Sequence, residues 1–235
     1  FKDHQSQPVL IYLANAIYKP SDQQHATSTS GLVDKTQPQV AEDQLVPYSL
    51  IAAVDPAATL GPLIGSSGSP LPPPADDEII ITSWLADDLQ VAAGDWLRIE
   101  FYQPETTHGK NVESFIDLRV ASIADLVKPD QPYRLRRPAR YLQPRSLIND
   151  PDLTPRVPGV TDKRSINDWD LPFPLVHSIR PQDDEFWNNY RTTPKAFISL
   201  QVGHKLWGSR FGQTTSIRIV PEGHDSQQAA ADQPW

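Results

Sequence analysis

The chain has 235 residues, of which 38% are aliphatic or aromatic and 21% charged, a balance that suits a folded core and excludes a disordered tract. Its formal charge of −8, from 29 acids against 21 bases, speaks against nucleic acid and anionic lipid as partners. Having no cysteine, it carries no disulfide, iron–sulfur cluster or thiolate zinc site.

Taken in chain order, Pro8 to Tyr18 is apolar and reads as a strand or a helix. Tyr12 and Asn15 interrupt it, and no run in the chain reaches the ~20 apolar residues that span a bilayer. A start at Phe1 without an initiator methionine reads as a fragment or a processed chain. Leu50 to Val54 is a strand candidate. Gly61 to Pro74, ending in Pro70-Leu71-Pro72-Pro73-Pro74, reads as a polyproline-like loop, because proline lacks an N–H and fixes φ. Glu78 to Ile81 is a short apolar run suited to a buried strand. Thr82 or Ser83 caps a following helix that puts Leu85 and Leu89 one turn apart. Val91 to Asp95 closes that helix, with Gly94 suited to a left-handed position.

Trp96 to Tyr102 alternates, with Trp96, Arg98, Glu100 and Tyr102 on one side and Leu97, Ile99 and Phe101 on the other. His108-Gly109-Lys110 is a plausible hairpin tip. The chain returns through a strand from Val112 to Ile123, with Phe115, Leu118 and Val120 as expected core residues. Prolines crowd again from Pro129 to Pro194, so this stretch is expected to be irregular yet ordered. Its aromatics, Trp169, Trp187 and Tyr190 above all, are expected to pack against the sheet. A strand within Lys195 to Leu200, centred on Ala196 to Ser199, a short helix from Gln201 to Trp207, a turn over Gly208 to Gly212 and a strand within Thr214 to Val220 follow. The fold class is therefore α+β: a mixed sheet with a few short helices and a long proline-rich irregular excursion. One domain is expected over residues 1–221, with two subdomains as an alternative and 125–194 as an irregular excursion, followed by a flexible tail at 222–235.

Side chains that carry chemistry are scattered. No two of the six histidines, His4, His25, His108, His177, His204 and His224, have the spacing that places two metal ligands on one helical face. The acid clusters Asp76-Asp77-Glu78, Asp87-Asp88 and Asp183-Asp184-Glu185 lack calcium-loop spacing, and the third suits a helix start, where acids complement the dipole. Ser66-Ser67-Gly68-Ser69 is not a nucleophile elbow, and no phosphate-cradling Gly-Lys-Ser/Thr loop exists. The basic residues Arg134, Arg136, Arg137, Arg140 and Arg145 are interrupted by prolines. Trp84, Trp96 and Trp207 sit beside regular elements and read as core. The expectation is no catalytic residue, no cofactor and no metal, with ligand-binding residues unknown.

Several segments together resemble a bacterial family. They are Tyr12-Leu13-Ala14-Asn15, Val46-Pro47-Tyr48-Ser49-Leu50-Ile51-Ala52-Ala53, Asp77-Glu78-Ile79-Ile80-Ile81 and Trp84-Leu85-Ala86-Asp87-Asp88-Leu89 with Gly94-Asp95. Later come Asp152-Leu153-Thr154-Pro155, Pro158-Gly159-Val160-Thr161-Asp162, Asp168-Trp169-Asp170, Tyr190-Arg191-Thr192-Thr193-Pro194-Lys195-Ala196-Phe197 and Leu206-Trp207-Gly208-Ser209-Arg210-Phe211-Gly212. Over about residues 8 to 220 the chain resembles the large extracytoplasmic region of FtsX-like ABC-transporter permeases, relatives of the macrolide-exporter and lipoprotein-release transporters. The resemblance implies transmembrane helices on both sides of this region, a cytoplasmic ATP-binding partner chain and a second permease subunit. It also implies an inner-membrane protein with this part on the periplasmic side, coupling ATP hydrolysis to export or to lipid or lipoprotein handling. It supplies no catalytic residue. The stretch from Pro129 to Pro194 is longer than in macrolide exporters. Two other readings are a secreted hydrolase, using Asp183 or Glu185 with Asp168 or Asp170, and a free-standing periplasmic binding module with a tryptophan-lined groove.

Overall fold

Eight strands and four helices order the chain in a computed structural model that describes residues 5–36, 39–56, 63–106, 110–134, 137–142, 147–173 and 175–220. In sequence they are β1 (Gln5–Tyr18), α1 (Asp22–Thr27), β2 (Ser30–Leu32), β3 (Leu45–Ala53), β4 (Glu78–Thr82), α2 (Ser83–Leu89), β5 (Trp96–Tyr102) and β6 (Glu113–Ala124). The last four are α3 (Pro181–Tyr190), β7 (Ala196–Ile198), α4 (Leu200–Trp207) and β8 (Ser216–Val220). The class is α+β, with 33% of the described residues extended and 22% helical, short 3-10 turns included.

The sheet is mixed. β3 runs parallel to β7 and β4 parallel to β6, while the other pairs are antiparallel. Its pairings return to their start: β1 meets β5, β5 meets β6, β6 meets β4, β4 meets β7, β7 meets β3, and β3 meets β1. Six strands thus form a closed ring, which removes most open edges. β2 adds to β6 and β8 adds to β1 outside that ring.

Alternation along the strands decides what faces inward. Leu97, Ile99 and Phe101 of β5 point to a core shared with Ile17, Val46, Ile51, Ile79, Ile81, Leu118, Val120 and Ile198. Helices α2 and α4 pack on the same core through Leu85, Ala86, Val202 and Trp207. α2 starts where Thr82 accepts a hydrogen bond from the Leu85 N–H. It ends at Leu89, and the left-handed residue that stops it is Gln90 (φ 53°). Gly94 is also left-handed (φ 97°), but it serves the turn before β5 and not the helix end. α4 approaches β3 so closely that a methyl at Gly203 would lie 2.0 Å from the Ala53 Cβ.

β1 is a strand throughout, which resolves the strand-or-helix ambiguity of Pro8 to Tyr18. β3 begins five residues before the expected Leu50. Pro47 argues against a central strand, but β7 pairs only with Ile51 to Ala53, so Pro47 sits where β3 has a neighbour on one side alone. Phe115, expected in the core, is half-buried on the opposite face of β6, under the Arg98 guanidinium. The expected hairpin tip at His108-Gly109 and the tail from Glu222 lie outside the described residues.

The outer face of the ring carries two unlike covers. Over β1, β3, β4 and β7 lies the excursion from Leu126 to Tyr190, which contributes Leu126, Ile148, Leu153, Phe186 and Tyr190 to an apolar cluster with Val9, Ala52, Ile80 and Phe197. Behind it Trp169 and Trp187, rings 5.2 Å apart and edge to face, build a second cluster with Tyr48, Val160 and Ile166. Trp169, Trp187 and Tyr190 are all buried, as their size and number lead one to expect. The excursion is not wholly irregular, since α3 occupies ten of its residues. Over β5 and β6 the cover is thin: no residue of α1 is buried and all three of β2 are exposed.

Candidate functional site

Where the excursion rejoins the ring, four charges are sealed between α2, α3 and β7. Pro181 occupies the first turn of α3, where its missing N–H costs nothing, and Arg180 precedes it as the cap. Asp183, three residues on, turns back. Its Oδ2 accepts from the Arg180 backbone N–H and from Nε, both at 2.9 Å, and its Oδ1 accepts from Nη2 at 2.9 Å. Nη2 also donates to Asp88 Oδ2 on α2 at 2.8 Å. Asp183 is fully buried. Burial by itself would lower the Arg180 pKa, but the bonds from Asp183 and then Asp88 outweigh it and hold the guanidinium above its usual value.

The fourth member is Lys195, whose backbone ties β3 to β4: its N–H donates to the Leu50 carbonyl and its own carbonyl accepts from Thr82. Its Nζ lies 3.9 Å from Asp183 Oδ1 and makes no hydrogen bond among the described residues. The ammonium instead faces two rings, 4.4 Å from the Trp84 centroid and 4.7 Å from that of Phe186. Burial pulls its pKa down from 10.5 to about 8, opposed by the Asp183 charge. Asp183 and Lys195 are buried, while Arg180 and Asp88 keep 10% and 12% of their side-chain surface exposed. The arrangement fixes α2, α3 and β7 relative to one another.

A lighter strap holds the same excursion farther along. Glu42 accepts from the Ser178 N–H at 2.8 Å and meets His177 Nδ1 at 3.0 Å. The Tyr48 hydroxyl accepts from the backbone N–H groups of Val176 and His177. Tyr48 holds an unusual left-handed backbone (φ 41°) within β3.

The carboxylates considered for a hydrolase are not assembled. Asp183 is consumed by Arg180, exposed Glu185 pairs with Lys128 at 2.7 Å, and Asp168 and Asp170 are exposed on the excursion. Asp88 is the other partner of Arg180, Asp87 is exposed, and Glu78 pairs with Arg119. Of the histidines, His25 meets Asp117 at 3.0 Å and lies on Trp96, His177 meets Glu42, and His204 Nε2 is buried without a partner among the described residues. His4, His108 and His224 lie outside them, as do Arg136 and Arg145 of the basic cluster. Among the described residues no group of three metal-ligating side chains comes together. No tryptophan lines either of two cavities among the described residues, of about 720 and 400 Å³. Arg180 and Lys195 escaped sequence reasoning; the cue for Arg180 was a basic residue before a helix-starting proline with an acid three positions on.

Neither a scan against protein-family models nor a search of curated proteins returns a match for this chain.

Proposed function

We propose that this chain is the extracytoplasmic domain of an FtsX-like ABC-transporter permease and that it transmits motion without catalysing a reaction. The observation that carries the reading is the pairing of β1 with β8, in which Gln5 faces Val220 and Ser6 faces Ile219. Both ends of the described fold therefore leave side by side, as a domain set between two neighbouring membrane helices requires. Among the described residues no helix is long and apolar enough to cross a membrane, so any such helices lie elsewhere in the protein. The sealed junction of Asp88, Arg180, Asp183 and Lys195 supports the same reading. A displacement of the ring passes to the excursion where charges tie the two, and Arg180 does so by bonding both Asp183 on α3 and Asp88 on α2. In this reading a cytoplasmic ATP-binding chain supplies the energy, a second permease subunit completes the transporter, and the domain works on the periplasmic side in export or in lipid or lipoprotein handling.

The test is a disulfide across the two-stranded stalk. Cysteines replacing Ser6 and Ile219, which face each other in the ladder, fall within bridging distance, and the chain has no native cysteine to interfere. In the full-length permease with its ATP-binding partner, oxidation is expected to change ATP turnover and transport, and reduction to restore both, because the crosslink blocks a motion that the cycle would require. Turnover and transport unaltered by oxidation would overturn the coupling role and favour a free-standing binding module.

A further inference from the structure

The thinly covered side of the ring encloses the larger cavity, about 720 Å³, a volume typical of small-molecule sites. Its floor is the polar face of β5 with the facing residues of β1 and β6, and its roof is α1, β2 and the chain that follows. A chain of bonded side chains joins floor and roof. His25 Nδ1 meets Asp117 Oδ2 at 3.0 Å. Arg98 donates to Asp117 twice, from Nε at 2.6 Å and from Nη2 at 2.9 Å. Nη2 also reaches the Gln24 and Ser28 carbonyls of the roof, at 3.2 and 3.0 Å. The Tyr18 hydroxyl donates to Glu100 Oε1 at 2.7 Å.

Charge on this floor does not balance. Arg98 is committed to Asp117, His25 to the same carboxylate, Lys35 to Glu113 at 3.3 Å and His177 to Glu42. Glu100 is 7% exposed, lines the cavity, and among the described residues forms no ion pair; the Tyr18 hydroxyl is its hydrogen-bond partner. Burial, and after it the neighbouring Glu113 charge, raise its pKa against the pull of the Tyr18 hydrogen bond and of the His177 and Arg98 charges, neither of which is paired with it directly. The apolar part of its walls is Leu32, Val33, Val40 and Phe115, set among the polar side chains of α1 and beside Asp34. Leu32 is 62% exposed, an aliphatic side chain left at the edge of a polar cavity.

We infer that this cavity binds an organic cation, an amine with an apolar body, whose ammonium pairs with Glu100 and whose body lies along Leu32, Val33, Val40 and Phe115. Among the described residues no three metal-ligating side chains come together here, whereas a calcium ion takes six to eight oxygens and an ammonium needs one charged acceptor and two or three hydrogen-bond partners. An anionic ligand would meet Arg98 only after displacing Asp117. The inference stands apart from the coupling role: a domain that transmits motion need not bind an amine, and an amine-binding domain need not couple.

The probes are n-hexylammonium and hexanoate, equal in length and opposite in charge, titrated into the 235-residue chain and followed by the backbone amides of Gln24, Ser28, Leu32 and Phe115 in NMR. Hexylammonium is expected to shift these amides saturably and to bind at least about tenfold more tightly than hexanoate, the order of a charge-assisted hydrogen bond. Glu100→Gln keeps the shape and the acceptor for Tyr18 and is expected to erase that preference. Equal binding of the two probes, no saturable shift, or shifts centred elsewhere would overturn the inference. So would a folded Glu100→Gln variant that still prefers the amine. The wild-type comparison between the probes decides the matter even if that variant fails to fold.

Discussion

The two covers of the ring solve opposite problems. The excursion from Leu126 to Tyr190 is long and rich in proline, and it is ordered by what it buries: three tryptophan and tyrosine side chains, Phe186 and a set of aliphatics against β1, β3, β4 and β7. The cover formed by α1 and β2 is short, buries none of its own residues, and is held by bonds to a polar floor. Ordering irregular chain costs roughly 1–2 kcal/mol per residue in backbone entropy, so a long segment needs large apolar anchors to stay in place. A short one survives on a capping box, which Ser21 and Gln24 supply, and a few charge-assisted bonds. The difference teaches where each property resides: dense apolar packing belongs to the excursion, and a cavity of small-molecule size to the polar cover.

The strongest way to break this contrast is Trp187→Ala, at a side chain 2% exposed between α3 and the rest of the excursion. It is expected to cost about 3–5 kcal/mol, and with about 2–4 °C per kcal/mol for a chain of this size the melting temperature falls by roughly 10 °C. An unchanged melting temperature would mean that the excursion does not anchor itself through its aromatics.

Next in size is the pH dependence of the buried junction. Lys195 is held near 8 in the fold and titrates at 10.5 when unfolded. Below pH 8 both states are protonated and the fold carries a buried ammonium. Between 8 and 10.5 the unfolded chain binds more protons, so stability rises with pH, at up to about 1.4 kcal/mol per unit. Above pH 10 tyrosines whose pKa is raised by burial, Tyr12 and Tyr190 to about 12, reverse the trend, since the unfolded chain then loses protons first. Urea unfolding from pH 7 to 10 is expected to show this rise in the wild type and a flat profile in Lys195→Met; parallel profiles would remove the buried ammonium from the account.

Gly203→Ala sharpens the comparison by perturbing the ring and neither cover. Alanine is the better helix former by about 1 kcal/mol, yet the added methyl meets the Ala53 Cβ, and overpacking of about 1–3 kcal/mol wins. Denaturant midpoints check the sign. The smallest effect belongs to the polar cover: Lys35→Ala removes a 66% exposed partner of Glu113 and is expected to change stability by less than about 0.5 kcal/mol, measured the same way.

Local pattern determined much of this protein. The alternation of Trp96 to Tyr102, the apolar run before Thr82, the Thr82 cap and the aromatics of the proline-rich stretch each report their own backbone state or burial, because hydrophobic period and capping act over a few residues. The sequence also separated the polar face of β5, with Arg98 and Glu100, from its apolar one. What it left undecided depended on distant partners. Pro47 is tolerated in β3 because β7 stops short of it. Phe115 leaves the core through strand alternation, which sets it on the face opposite Leu118 and Val120, and its partner there, Arg98, comes from β5. Asp88 and Arg180 are 92 positions apart, and Arg98 meets the Gln24 carbonyl across 74. Ring closure, the sealed junction and the cavity over Glu100 arise from such pairings alone. Tertiary structure decided them, since neither charge balance nor enclosed volume exists until segments remote in the chain are brought to the same few ångströms.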